Sequence, residues 1–138
     1  EKGIDSSRII DETFYQKTYK QNLILGRALL DSKLYLDGKC ILTCLTQKTM
    51  EEYGCTTRDL EGIVNQLRVT KGTLVAAFLY ENADGAFKVS LRANEDFNVA
   101  DIAAMFGGGG HVKAAGCTME GCIEDIICRL TDAIQKQL

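Results

Sequence analysis

Four consecutive glycines, Gly107, Gly108, Gly109 and Gly110, run directly into His111, the only histidine of the chain, and Lys113 follows two residues later. Glycine in ordered structure costs about 0.5–1 kcal/mol relative to alanine, so the run forgoes on the order of 2–4 kcal/mol that some benefit must offset. A backbone stripped of side chains over four residues can bring successive N–H groups against an anion, and such a concavity suits a phosphate. His111 can hold a phosphate oxygen through one donor when neutral or two when protonated. The same residues also fit a structural turn followed by a satisfied histidine, and both readings stand at this point.

Alternation in Phe87 to Ala93 places Val89 and Leu91 on one face of a strand, with Lys88, Ser90, Arg92 and Asn94 on the other. Arg92 then presents a planar donor fork suited to a phosphate or a base, although lone arginines on strands are commonly solvated. Glu61, Asn65 and Arg68, at i, i+4 and i+7, share one helix stripe that either lines a cleft or faces solvent. Phe106 either stacks on a base or ends the buried face of its helix.

Several chemistries find no support. The glycine run lacks the Gly-Lys-Ser/Thr ending of a Walker loop, and it follows a helix rather than opening one, unlike the dinucleotide fingerprint. Six cysteines, at 40, 44, 55, 117, 122 and 128, include no C-x-x-C pair, which argues against zinc. Most of them read as small buried residues of a reducing cytoplasm. The longest apolar run, 74–80, is far shorter than the roughly 20 residues of a membrane helix. A net charge of −3 disfavours broad attraction to long nucleic acid and leaves room for a small anion in a locally positive cleft formed with Arg92 and Lys113.

The elements that must position these residues follow from periodicity. From Ser6 or Ser7 the apolar residues Ile9, Ile10, Phe14, Leu23, Ile24, Ala28 and Leu29 predict one long amphipathic helix. Strands 33–37 and 39–46 flank an Asp37-Gly38 hairpin turn. Residues 47–53 form a short helix closed by Gly54, and a second helix starts at Thr56 or Thr57 and carries Leu60, Ile63, Val64 and Leu67. Strands 73–81 and 86–93 form a second hairpin, a short helix ends at Met105, 113–118 returns as a strand, and a helix over 121–137 closes the chain. With 138 residues, 46% of them hydrophobic, and no proline, this is one α/β (α+β) domain: a mixed sheet of about five strands with helices packed against it. Residues 1–32 are expected to be a connecting helix and 33–138 the domain proper, and the start Glu-Lys-Gly reads as the interior of something larger.

The segment Gly108-Gly-Gly-His111-Val-Lys-Ala-Ala-Gly116 matches the GGGH-x-x-AAG signature of the DHH-associated domain, the C-terminal half of DHH-family phosphoesterases. The leading helix, the 61–68 run Glu-Gly-Ile-Val-Asn-Gln-Leu-Arg and Val89-Ser90-Leu91-Arg92 agree with it in order. The chain most resembles the nano-RNase branch, which degrades very short oligonucleotides and dephosphorylates 3′-phosphoadenosine 5′-phosphate. That resemblance implies a missing N-terminal DHH domain with two Mn²⁺ ions, and in this chain a substrate-gripping half with no catalytic residue and no metal ligand. Arg92, Gly107, Gly108, Gly109, Gly110 and His111 would hold the substrate phosphate, with Asn65 and Ser90 in supporting places. Implied partners are a short oligonucleotide or nucleotide phosphate and the DHH domain of a cytoplasmic, homodimeric parent, with no membrane. Two alternatives are the substrate domain of a cyclic-dinucleotide phosphodiesterase and a nonenzymatic RNA-binding module like that of alanyl-tRNA synthetase.

Overall fold

A computed structural model of the chain describes residues 16–138, so the predicted serine cap and the apolar residues before Tyr15 lie outside the described residues. Helix α1 (Tyr19–Asp31) starts from a reciprocal cap, in which the Thr18 hydroxyl accepts from the Gln21 N–H and the Gln21 side chain accepts from the Thr18 N–H. Residues 16–18 are not helical, so the helix expected to run unbroken from Ser6 is interrupted there, and α1 starts at Tyr19. The cap satisfies the orphan donors of a helix start, which makes Thr18 a boundary that apolar periodicity does not reveal.

Strands β1 (Lys33–Tyr35) and β2 (Cys40–Leu45) pair antiparallel. Their turn centres on Leu36 and Asp37, both left-handed (φ 56° and 58°), one residue earlier than the predicted Asp37-Gly38. Helix α2 (Gln47–Glu52), a 3₁₀ turn (Thr57–Leu60) and α3 (Ile63–Arg68) then carry the chain to β3 (Val75–Glu81), which pairs parallel to β2. The helix expected from Thr56 onward is interrupted: Glu61 is extended and Gly62 left-handed (φ 89°), so α3 starts only at Ile63. Glu61 therefore does not share a helical stripe with Asn65 and Arg68.

After β4 (Phe87–Ala93) come α4 (Val99–Met105), β5 (Gly109–His111), β6 (Ala114–Met119) and α5 (Ile123–Gln137). The sheet holds six strands in the order β1-β2-β3-β4-β6-β5, mixed in direction, one more than the sequence suggests. The additional strand is the end of the glycine run itself, which pairs as an edge strand with β6.

Two cores lie on the two sheet faces. One buries Val75, Ala77, Val89, Leu91, Ala115 and Cys117 under α4 and the Ile126, Leu130, Ala133 and Ile134 stripe of α5. The other buries Ile41, Leu45, Ala76 and Phe78 under α1, α2 and α3, and draws no residue from β4, β5 or β6. On that side α3 reaches as far as β4, among the described residues no helix buries β5 or β6, and Ser90, Arg92, Ala114 and Gly116 are half-buried there.

Candidate functional site

The predicted alternation of β4 is present: Phe87, Val89, Leu91 and Ala93 are buried, and Lys88, Ser90 and Arg92 are partly exposed. Strand register then decides what stands beside Arg92. Arg92 pairs with Ala114, and Ala114 with His111, so the three form one row across β4, β6 and β5. Directly opposed residues share a face, and two interstrand steps put the Arg92 and His111 backbones about 10 Å apart. In the next row Ser90 pairs with Gly116 and Gly116 with Gly109, so no side chain rises from the sheet beside Ser90, and the Lys88 Nζ reaches over Gly116, 3.6 Å from where a Cβ would stand. This part of the sheet is thus a floor of alanine and glycine with Arg92, Ser90, Lys88 and His111 standing on it.

Beside this floor an open cleft of ≈ 450 Å³ is lined by Asn65 and Arg68 of α3, Arg92 to Glu95, and Lys113 with Ala114. It unites Asn65, Arg92 and Lys113; His111, Ser90 and the glycines do not line it, although His111 is one strand beyond Ala114. Burial first, and the Arg68 charge second, pull the Arg92 guanidinium below its usual range. One Arg92 Nη donates to the Leu91 carbonyl at 2.9 Å, and neither Arg92 nor Arg68 enters an ion pair among the described residues. Two cations without an ion-pair partner among the described residues, with Lys113, give the cleft an excess of positive charge over its one carboxylate, Glu95.

Asn94 fixes the second of them. Its Oδ1 accepts from the Arg68 guanidinium at 3.3 Å, and its Nδ2 donates to the carbonyls of Arg68 (2.9 Å) and Thr73 (2.8 Å). The alternation of β4 puts Asn94 in line with Arg92 but gives it no role; it lies one residue past the end of the strand, two after Arg92.

The four glycines divide by role. Gly107 (φ 83°) ends α4 in a Schellman arrangement, with Gly107 N–H donating to Ala104 and Gly108 N–H to Ala103. A Cβ on Gly108 would collide with the Gly116 carbonyl and Cys117, and one on Gly110 would stand 2.6 Å from the Ala115 Cα. Those two let β5 lie close against β6. Gly109, exposed with open space around its Cα, is the one whose absent side chain serves neither cap nor packing. Phe106 caps α4 and packs on the core, which favours its structural reading.

His111 is exposed, and its Nδ1 accepts from the Lys113 N–H at 3.2 Å. That acceptor role puts the ring proton on Nε2, a donor that no described residue occupies. Among the described residues no three His, Cys, Asp or Glu side chains gather as a metal-ligand set. All six thiols are free; Cys40 and Cys117 are buried, Cys44 and Cys55 half-buried, and Cys122 and Cys128 exposed. The expectation that most are buried is corrected, since only two of the six are: Cys44 and Cys55 reach partly to solvent, Cys122 caps α5 and Cys128 lies on its outer face. No described helix is long and apolar enough to cross a membrane.

The chain is 28% identical over 116 residues to the bifunctional oligoribonuclease and PAP phosphatase NrnA of Thermus thermophilus, a match covering 83% of this chain and 34% of that protein. A crystal structure of an exopolyphosphatase-related protein from Bacteroides fragilis superposes with a TM-score of 0.88 at 29% identity, over 98% of this chain and 40% of that one. The pGpG-specific phosphodiesterase PggH of Vibrio cholerae shares the fold, with a TM-score of 0.55 at 14% identity over 85% of this chain and 38% of that one. The chain thus spans well under half the length of the relatives it matches. Residues 37–137 match the model of the DHHA1 domain, and with the glycine run, His111 and Arg92 set on one sheet face, the chain belongs to the DHHA1 domain family.

Proposed function

We propose that this chain is the substrate-binding domain of a manganese-dependent DHH phosphoesterase that acts on short oligoribonucleotides and on 3′-phosphoadenosine 5′-phosphate. The observation that carries this reading is the Arg92–Ala114–His111 row across β4, β6 and β5, beside a cleft with a second arginine. The name of the Thermus relative supports the substrate class. In this reading Arg92 and His111 Nε2–H donate to substrate phosphate oxygens, and the glycine run, with Gly109 foremost, lets the substrate approach the sheet backbone. Ser90 and Asn65 border the bound nucleotide. Manganese, which activates water in such phosphoesterases, belongs to a DHH domain preceding this one in a cytoplasmic, dimeric parent. Residues 1–32 connect the two, and 33–138 form the binding unit.

Titration of the chain with a diribonucleotide, a cyclic dinucleotide and tRNA tests the proposal. The expected result is preferential binding of the linear diribonucleotide, loss of binding in Arg92→Ala, and no hydrolysis with Mn²⁺ present. Preference for the cyclic dinucleotide would move the substrate class, and tighter binding of tRNA with a steep salt slope would replace the enzyme reading by an RNA-binding module. Turnover by the chain that His111→Ala abolishes would place chemistry here and overturn the division of labour.

A further inference from the structure

We infer that Arg68, held in place by Asn94, is the second half of a two-arginine grip with Arg92, and that this grip selects a terminal phosphate monoester over a phosphodiester. The inference rests on the functional reading above and deepens it by naming the phosphate form the cleft takes.

Two guanidiniums from different elements, one at the end of α3 and one in β4, line the same open cleft without an ion-pair partner among the described residues. They are near enough that the charge of Arg68 bears on Arg92, an arrangement whose repulsion must be offset by a bound anion or by solvent. A phosphodiester brings one negative charge, whereas a monoester at neutral pH brings about −1.5 to −2 and three acceptor oxygens. The greater charge answers two cations, and three oxygens can serve two forks at once. Lys113 adds positive charge to the same cleft, and Glu95 is the one carboxylate on its lining.

A long arginine side chain selects by geometry only if something holds it. Asn94 does so: one side-chain amide binds the Arg68 guanidinium through Oδ1 and, through Nδ2, the main-chain carbonyl of Arg68 itself and that of Thr73. The amide therefore fixes both the end of α3 and the charged tip that α3 delivers. Asn94 sits two residues after Arg92, so one short stretch of chain sets both arginines. Asn94 is here a positioning residue, and Arg68 a binding one.

The test compares affinities of the chain for adenosine 5′-monophosphate and for the methyl diester of that phosphate, by calorimetry at pH 7.5. The wild type is expected to prefer the monoester by roughly tenfold, the scale of one charge-assisted hydrogen bond. Arg68→Ala should bind the two ligands equally, and Arg68→Lys should restore part of the preference. Asn94→Ala should lose preference to the same extent as Arg68→Ala at a temperature where its melting curve shows it folded. A purely structural Asn94 would lower the melting temperature and leave the ratio of affinities unchanged, which overturns its positioning role. A wild type that binds both ligands equally through Arg92, or an Arg68→Ala variant that keeps the preference, overturns the grip while the functional reading stands. Failure of the wild type to bind either ligand overturns both.

Discussion

Arg92 and His111, nineteen positions apart in the chain, stand in a single cross-strand row with only the methyl group of Ala114 between them. Small residues on the intervening strand keep the space between the two donors open. A carboxylate there would pair with Arg92 and, in the proposed function, take the place of the substrate phosphate. Ala114→Glu is expected to weaken nucleotide binding by at least roughly tenfold, or about 1.4 kcal/mol. Ala114→Ser should leave it within a few-fold. Calorimetric titration of both variants decides the matter, and unchanged affinity in Ala114→Glu would remove the row from the site.

The glycines should separate by experiment as they do by geometry. Gly108→Ala and Gly110→Ala force a methyl group into the backbone of β6, where the neighbours are main-chain atoms that cannot swing aside. Each is expected to destabilise the fold by about 1–3 kcal/mol, the range of overpacked sites. Gly109→Ala meets open space and should fold with nearly wild-type stability. If Gly109 borders the substrate, as the proposed function has it, the same substitution weakens nucleotide binding. Urea unfolding of the three variants, alongside a binding assay of Gly109→Ala, tests both halves.

Thr43 ties the leading helix to the sheet. Its buried hydroxyl donates to the carbonyl of Ala28 at 2.6 Å, in the last turn of α1, where the Ser32 N–H goes instead to Leu29. Helix ends leave such carbonyls without an intrahelical donor. Thr43→Val keeps the volume and strands the acceptor, so a loss of about 1–3 kcal/mol is expected. Equal stability of Thr43→Val and wild type in chemical denaturation would show that Ala28 finds another donor.

Burial pushes the Cys40 thiol up from 9.0 to about 12, and burial followed by the charge of Glu81 does the same for Cys44. Both thiols keep their protons in the folded chain at pH values where the unfolded chain has lost them. Their contribution is therefore complete below pH 9 and is lost as pH rises towards 12, at about 1.4 kcal/mol per pH unit for each thiol. Denaturation between pH 8 and 11 should show Cys44→Ala losing stability with a slope shallower by about that amount. Thiol reagents at pH 8 should modify the exposed Cys122 and Cys128 first and reach Cys40 only on unfolding.

Much of this protein is written locally. Alternation in 87–93 assigns which side chains of β4 face the core, because a strand's period of two needs no partner to define it. The glycine run with His111 and Ala114-Ala115-Gly116 marks the family, and Asn98 and Gly107 bracket α4 through local capping chemistry. Local signals failed where two weak ones competed: periodicity carried a helix across Glu61-Gly62, and the left-handed backbone of Gly62 broke it. Long-range pairing lay beyond the sequence altogether. That β2 runs parallel to β3, that the glycine run ends as a sixth strand, and that Arg92, Ala114 and His111 share a row are matters of register. Register is set by the simultaneous burial of both sheet faces and by the backbone contact that Gly108 and Gly110 permit. The same tertiary closure brings Asn94 to Arg68, twenty-six residues away, and so decides which arginines meet in the cleft; the sequence by itself supplied only their types.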